Sequence, residues 1–368
     1  MKIAVSADCF AAFTSGFPVR GMMLELVRQN PHVHFQLYYT KRERPKELKN
    51  FYSEINSMHN VEVRYFKDSR KVVAIKRMLG LKYVEFDNDV DLFLNPGNPE
   101  YIRGYKGPSV CSLADLSTVK GLSTNKYALF FKYWSRIGYN KTLPLLSRIV
   151  SISEFTRQDL KEFFPSVYDK TITVYNGIGD HWFRESKYKG VAKRYGIDSP
   201  YFIWWGLISR RKNIERLVLA YKNARQRKAD LPKLLLVGKI AEHMEYLRHE
   251  FTSDIINIPF QDNDTLRDLV CESEGLIFPS LYEGFGLPVV EAFSQGVNVA
   301  CSNVTSLPEV SGGKALLFNP ESIESISDAI LELTNKHHDK DELMKYARRF
   351  TYSNAARKYM EIIKSVVK

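Results

Sequence analysis

The sequence predicts an α/β protein made of two doubly wound, Rossmann-like domains in tandem. Three observations lead there. Short apolar runs alternate with longer segments of helical spacing along the chain. That alternation restarts once, after a polar stretch near the middle. A glycine loop flanked by two carboxylates sits between an apolar run and a helical one in the second half. Strand–helix alternation belongs to a parallel sheet covered by helices on both faces.

In chain order, MKIAVSA, HFQLYYT from His34, VEVRYF from Val61, DLFLNP from Asp91, SVCSLAD from Ser109, RIVSIS from Arg148 and TITVYN from Thr171 read as strands. Helical text lies between many of them, such as GMMLELVRQN from Gly21 and SEFTRQDLKEFF from Ser153, with Ser153 as its N-cap. The polar stretch HWFRESKYKGVAKRYGIDSP follows. The pattern then resumes with YFIWWG from Tyr201, the helix NIERLVLAYKNARQR, and the strands KLLLVGK, DIINIPF, GLIFPS and NVACSN. The last segment, TYSNAARKYMEIIKSVVK, has apolar residues at helical spacing.

Composition sets limits on function. A 368-residue chain with 44% hydrophobic and 26% charged residues is globular, with material for two cores. A net charge of +11 suggests anionic partners without choosing among them. The N-terminus does not read as a signal peptide, and no window holds an apolar run of about eighteen residues, so no membrane-spanning helix is expected. The four cysteines, Cys9, Cys111, Cys271 and Cys301, are scattered and form no CxxC pair. They read as reduced core residues of a cytoplasmic protein, not zinc ligands.

The stretch FPSLYEGFGLPVVEAFSQG carries the chemistry. GLIFPS reads as a strand, so Leu281 to Gly286 is a strand-to-helix loop, and Pro288 suits the first helical turn. Gly284 and Gly286 let backbone approach a ligand closely. A helix N-terminus favours phosphate or sugar hydroxyls. Glu283 lies in the loop and Glu291 about one turn into the helix. Carboxylates accept two hydroxyl hydrogen bonds each, which suits the vicinal diols of a hexose and a ribose. Taken singly, Glu291 could instead be a carboxylate favoured near a helix N-terminus, and Glu283 a solvated loop residue.

With VNVACSNVTSLPEVSGGKALLFNP behind it, the stretch resembles the C-terminal signature of the retaining glycosyltransferases of family 4. The spacing of Glu283 and Glu291, Gly-Phe-Gly-Leu-Pro, Leu-Pro-Glu-Val and Gly-Gly match in order. YFIWWGLISRRKNIERLVLAY resembles the family's first strand, phosphate loop and helix of the nucleotide domain. IVSISEFTRQDL and TITVYNGIG resemble its domain-boundary segments, and FTYSNAARKYMEII the helix that returns to the N-terminal domain. The resemblance covers nearly the whole chain. It implies the GT-B fold, two Rossmann-like domains with an interdomain cleft: an acceptor-binding domain over 1–180, a nucleotide-sugar-binding domain over 181–348, and a returning helix over 349–368.

The resemblance also implies roles. Glu283 would hold donor-sugar hydroxyls, with Gly284, Phe285, Gly286 and Leu287 near sugar and phosphate. Glu291 would bind the ribose diol. Lys212 and Arg211 would neutralise the diphosphate, whose charge grows as it leaves. Gly206 and Phe260 would lie on the donor side, with the base near Gly238, Phe260 and Asp264 to Leu266. Gly16, Arg20 and Asp115 would face the acceptor. Two departures stand out. Family members often carry His-Asp where this chain reads Ser112-Leu113-Ala114-Asp115-Leu116, so alanine replaces the histidine. The N-terminal loop reads SGFPVRGMMLEL in place of Gly-Ile-Gly-Arg-Tyr. The implied activity is retaining transfer of a hexose from a nucleotide-sugar to a saccharide or lipid-linked saccharide in cell-surface polysaccharide biosynthesis. GDP-mannose is the first choice of donor. A UDP-hexose transferase, a related epimerase and a non-catalytic nucleotide-sugar-binding scaffold are the alternatives.

No cofactor or metal is expected. Asp87-Asn88-Asp89 looks like an Asp-x-Asp metal motif but reads as a polar loop, Asp262-Asn263-Asp264 as a turn and helix cap, and His337-His338 as exposed. From Tyr101 to Arg148 the chain interleaves basic residues such as Arg103, Lys126, Lys132, Arg136 and Lys141 with Tyr127, Phe130, Tyr133 and Trp134. ALFFKYWSRIGYNK suits either a helix lying on an anionic membrane surface or a core helix with solvated charges. No RNA-binding motif accompanies it, so nucleic acid is not an expected partner.

Overall fold

The structure, a computed structural model, describes residues 1–11, 16–39, 48–65, 72, 89–97, 105–122, 128–186, 190–335 and 338–367. It divides into two compact units. One joins Met1–Gly177 to Thr351–Lys368, and the other is Ile178–Phe350.

In the first unit, β1 (Lys2–Ser6), β2 (His34–Tyr39), β3 (Val61–Tyr65), β4 (Leu92–Asn95), β5 (Ser109–Leu113), β6 (Arg148–Ser151) and β7 (Thr171–Thr173) form a sheet in the order β3-β2-β1-β4-β5-β6-β7. Every pairing is parallel. In the second unit, β8 (Tyr201–Trp205), β9 (Lys233–Val237), β10 (Ile255–Ile258), β11 (Gly275–Phe278), β12 (Val299–Ser302) and β13 (Leu316–Phe318) follow the order β10-β9-β8-β11-β12-β13, again all parallel. Both orders run outward from the first strand and then reverse. Such sheets leave a crevice at the carboxyl ends of the strands where the order reverses, here β1/β4 and β8/β11. The central strands are covered on both faces, which is why β5 and β8 are buried at every position.

The predicted strands all form. One was missed: β13, LLF, has three residues of which only Phe318 is fully buried, too short to show a period. The helix expected from Gly21 begins earlier, at Gly16, with Pro18 in its first turn. Ser153 caps the Glu154–Phe163 helix as expected, accepting the Thr156 N–H at 3.0 Å. Cys111 and Cys301 are core residues, but Cys271 is exposed and Cys9 only half-buried, so the core reading fails for those two. The unit boundaries fall at 177/178 and 350/351, slightly off 180/181 and 348/349. The Ile178 N–H bonds to the Phe350 carbonyl at 2.9 Å and closes the second unit there.

The Tyr352–Lys364 helix belongs to the first unit. Thr351 caps it, accepting the Asn354 N–H at 3.1 Å. Its stripe of Ala355, Ala356, Tyr359, Met360, Ile362 and Ile363 joins the core built on β1, β2 and the Gly16–Arg28 helix. Gly21 makes room for it: a Cβ there would stand 2.0 Å from the Tyr352 ring.

Candidate active site

The loops after β8 and β11 meet at the switch point of the second sheet. Beyond β8 the chain turns at Gly206 and forms a 3-10 turn over Arg210–Lys212. It enters the Ile214–Arg227 helix through Asn213, whose φ of 60° is left-handed. Asparagine tolerates that region better than most residues. Its amide donates to the carbonyls of Pro279 at 3.1 Å and Pro320 at 2.7 Å, tying the loop after β8 to those after β11 and β13. The Leu281 N–H donates to the Arg211 carbonyl at 2.9 Å, and Arg211 Nη1 donates back to the Tyr282 carbonyl at 2.6 Å. The two loops are thus stitched by backbone as well as side chain.

Their charges meet in the same place. Lys212 Nζ donates to Glu283 Oε1 at 2.6 Å, and Arg211 Nη1 lies 3.2 Å from Oε2. Glu283 is 8% exposed. Burial opposes its charge, but Lys212 and Arg211 outweigh burial and hold the carboxyl below the usual carboxylate range. Burial also draws the Lys212 ammonium down, with Glu283 pulling the other way, and Nζ sits 5.0 Å from the Phe278 ring centre. Glu291, in the Leu287–Ser294 helix, has no such cation in hand. Trp205 Nε1 donates to its Oε2 at 3.1 Å, yet burial pushes the carboxyl up to about 7. The two glutamates therefore occupy different protonation states near neutrality.

A third loop braces Glu283. Thr305 has φ 60°, costly for a β-branched side chain. That conformation brings its Oγ1 to 3.2 Å from the Glu283 N–H, which it accepts. Ser306 Oγ lies 3.0 Å from the Glu283 carbonyl and 2.9 Å from that of Phe285, sharing its proton between them. Gly286 is left-handed at φ 97°, and a Cβ there would stand 2.5 Å from Leu307 Cδ2. The Gly-Phe-Gly turn can close only with glycine at that position.

The structure brings Lys212, Arg211 and Glu283 into contact, and places Glu291 one strand end away through Trp205. Gly284, Phe285 and Gly286 are buried, and the Phe285 ring meets Phe350 edge-on at 5.8 Å, so its side chain serves the core. Leu287 opens the following helix and Gly206 directly follows β8. Phe260 follows β10, two strands from β8, roughly 10 Å across the sheet, and is 51% exposed. Asp262 caps the Asn263–Cys271 helix as expected, accepting the Asp264 and Thr265 N–H groups at 3.0 Å.

In the first unit, Gly16 is the first residue of its helix. Arg20 is 6% exposed and donates to the Phe10 carbonyl at 2.7 Å, a bond that fixes the turn after β1. Asp115 follows β5 and accepts the Ser117 N–H at 2.8 Å, starting the Ser117–Lys120 helix. Asp87, Asn88, Arg103, Lys126, Tyr127 and His337 lie outside the described residues, while Asp89 pairs with Lys2. Among the described residues, no group of three His, Cys, Asp or Glu side chains is arranged to hold a metal ion.

Sequence reasoning missed Trp205, Thr305 and Ser306. Trp205 was visible as the last apolar residue before a glycine at a strand end, where side chains enter the crevice. Nothing in the sequence signals the left-handed Thr305.

Two parallel, doubly wound units of this topology define the class: the fold is GT-B. Anabaena HepE, solved in complex with UDP and glucose, matches over 99% of this chain and 100% of its own, at 14% identity and TM-score 0.69. Sucrose-phosphate synthase from Thermosynechococcus elongatus matches over 99% and 98%, at 16% identity and TM-score 0.72. Residues 192–350, which hold the whole Lys212–Glu283–Glu291 cluster, match the model of the family glycosyl transferases group 1. Among curated proteins, O-antigen chain mannosyltransferase B of Escherichia coli is 30% identical over 201 residues, covering 52% of this chain and 53% of its own. The serotype-specific mannosyltransferase WbdA of Escherichia coli is 27% identical over 227 residues, 56% of this chain and 27% of its own. The chain thus spans about half the length of the first and about a quarter of the second.

Proposed function

We propose that this chain is a retaining glycosyltransferase that moves mannose from GDP-mannose to a saccharide or lipid-linked saccharide acceptor in polysaccharide assembly. The observation that carries the reading is the buried Lys212–Glu283 pair, backed by Arg211, at the switch point of a group 1 glycosyltransferase domain. The mannosyltransferase relatives support the choice of sugar.

The residues divide the work. Lys212 and Arg211 supply fixed positive charge for the diphosphate, and it counts most in the transition state, when the bond to the sugar breaks and charge moves onto the leaving oxygen. Glu283 holds the sugar through its hydroxyls while keeping both cations in place. Glu291, which burial keeps partly protonated near neutrality, accepts from the ribose diol once ionised, so donor binding releases protons there. Acceptor attack on the face that the diphosphate leaves retains configuration, and the departing phosphate takes the acceptor's proton.

Thermal unfolding with GDP, UDP, ADP and their sugar conjugates tests the reading. A ligand at about 100 times its Kd adds about 2.7 kcal/mol. A shift selective for GDP and GDP-mannose is expected, followed by mannose transfer in an acceptor screen. A shift selective for UDP would replace the donor. Binding of GDP-mannose with no turnover on any acceptor would favour the scaffold, and no shift with any nucleotide would overturn the assignment.

A further inference from the structure

The Ala128–Thr142 helix is amphipathic the wrong way round for a helix packed in a water-soluble domain. Its inward side carries Ser135 and Tyr139, and Tyr139 packs edge-on against Phe164 at 5.9 Å. Its outward side carries Leu129, Phe130, Tyr133, Trp134 and Ile137, which are 71%, 61%, 64%, 47% and 51% exposed. At about 100° per residue, these five fall within an arc of about 140°. The Phe130 and Trp134 rings stack at 5.9 Å, so the face is a continuous apolar surface rather than scattered side chains. Such a surface on a soluble chain marks an interaction site.

Charge says what covers it. Lys132 and Arg136 border the apolar arc on one side, and Lys141 stands exposed at the last turn of the helix. Between Asp115 and Glu154 the chain has six basic residues and no acidic one. An aromatic face rimmed by Lys132, Arg136 and Lys141, which make no ion pair among the described residues, complements a layer of anionic headgroups over acyl chains. A partner protein face would have to supply both a matching apolar area and several unpaired carboxylates. Among the described residues no helix is long and apolar enough to cross a membrane, so the contact is with the surface.

We propose that this helix docks the first unit on the anionic surface of a phospholipid bilayer, with Phe130, Trp134 and Ile137 entering the headgroup–acyl boundary and Lys132, Arg136 and Lys141 meeting the headgroups. The inference does not depend on the transferase reading, and its test uses no substrate.

The protein carries its own probe. Of its four tryptophans, Trp182, Trp204 and Trp205 are 4%, 0% and 6% exposed, while Trp134 is 47% exposed. Vesicles of phosphatidylcholine mixed with phosphatidylglycerol should blue-shift the tryptophan emission of the full chain and carry it down in sedimentation. Pure phosphatidylcholine should do so weakly. Trp134→Phe should still sediment with mixed vesicles but lose the shift. The combined Lys132→Gln, Arg136→Gln and Lys141→Gln variant should lower partitioning roughly a hundred-fold. Phe130→Ser with Ile137→Ser should abolish it, and these exposed positions should leave the melting temperature unchanged. Absence of sedimentation with mixed vesicles, or a shift that survives Trp134→Phe, overturns the proposal. So does a concentration-dependent dimer that the two serine substitutions dissociate while vesicle binding is absent.

Discussion

Glu291→Gln offers a clean test of the electrostatics of the site. A carboxyl held at about 7 in the folded chain, against 4.5 when free, stays protonated over a window in which the unfolded chain has already ionised. Stability contributed by that proton is complete below about pH 4.5 and lost as pH rises toward 7. At about 1.4 kcal/mol per pH unit, ionising the native site near pH 8 has a ceiling of roughly 3 kcal/mol. Glu291 keeps some exposure, so water relieves part of it, and about 1–2 kcal/mol is expected. Glutamine matches the neutral acid in shape, and its carbonyl can still accept from Trp205. The variant should equal the parent near pH 4.5 and exceed it by about 1–2 kcal/mol near pH 8. Glu283, whose lowered pKa acts in the opposite sense, is common to both proteins and cancels. Urea unfolding followed by tryptophan fluorescence reads the right unit, because Trp182, Trp204 and Trp205 all lie in Ile178–Phe350. A difference between the two proteins that stays constant across pH would refute the reasoning, whatever its size. Trp205→Phe, which removes the indole N–H donor to the carboxylate, should move the parent's pH dependence further upward.

Three further outcomes follow from named contacts. Lys212→Ala leaves Glu283 buried with Arg211 alone, so it should cost about 2–3 kcal/mol as well as most transfer; adding Glu283→Gln should restore much of the stability and none of the activity, as a double-mutant cycle would show. Gly286→Ala forces a Cβ into Leu307 at a left-handed position and should destabilise the second unit by about 2 kcal/mol or more, read in the same urea titration. Thr305→Asn keeps a side-chain oxygen for the Glu283 N–H while tolerating φ 60°, so stability should hold or rise by about 1 kcal/mol; a loss of that size would mean the threonine is not strained.

The fold was legible because parallel strands buried on both faces read as apolar runs. YFIWW and GLIF could hardly be anything else once helices flanked them. β13 escaped because three residues cannot show a pattern. Glu283 and Lys212 stood out through their resemblance to a known signature, and their contact follows from the strand order, since β8 and β11 are neighbours although residues 206–274 lie between them in the chain. What supports Glu283 was not legible. Thr305 and Ser306 act through a backbone angle and a shared hydroxyl proton, neither of which leaves a mark in residue type. Nor was it legible that Arg20 and Asp115, read as acceptor-side residues, also serve as backbone partners, Arg20 to the Phe10 carbonyl and Asp115 to the Ser117 N–H.

The second unit is an insertion into the first, entering after Gly177 and leaving before Thr351. That has a consequence for the order in which the protein is made. When the ribosome has released residue 177, the first unit still lacks the Tyr352–Lys364 helix, and the apolar groove against Gly21 and the Gly16–Arg28 helix stands open. The second unit is complete in sequence by residue 350 and can fold while the first waits. The stretch after residue 350 is what seals the earlier core. A stop codon placed just after residue 350 would therefore spare the unit that holds Lys212 and Glu283 while leaving the core of the other unit unsealed.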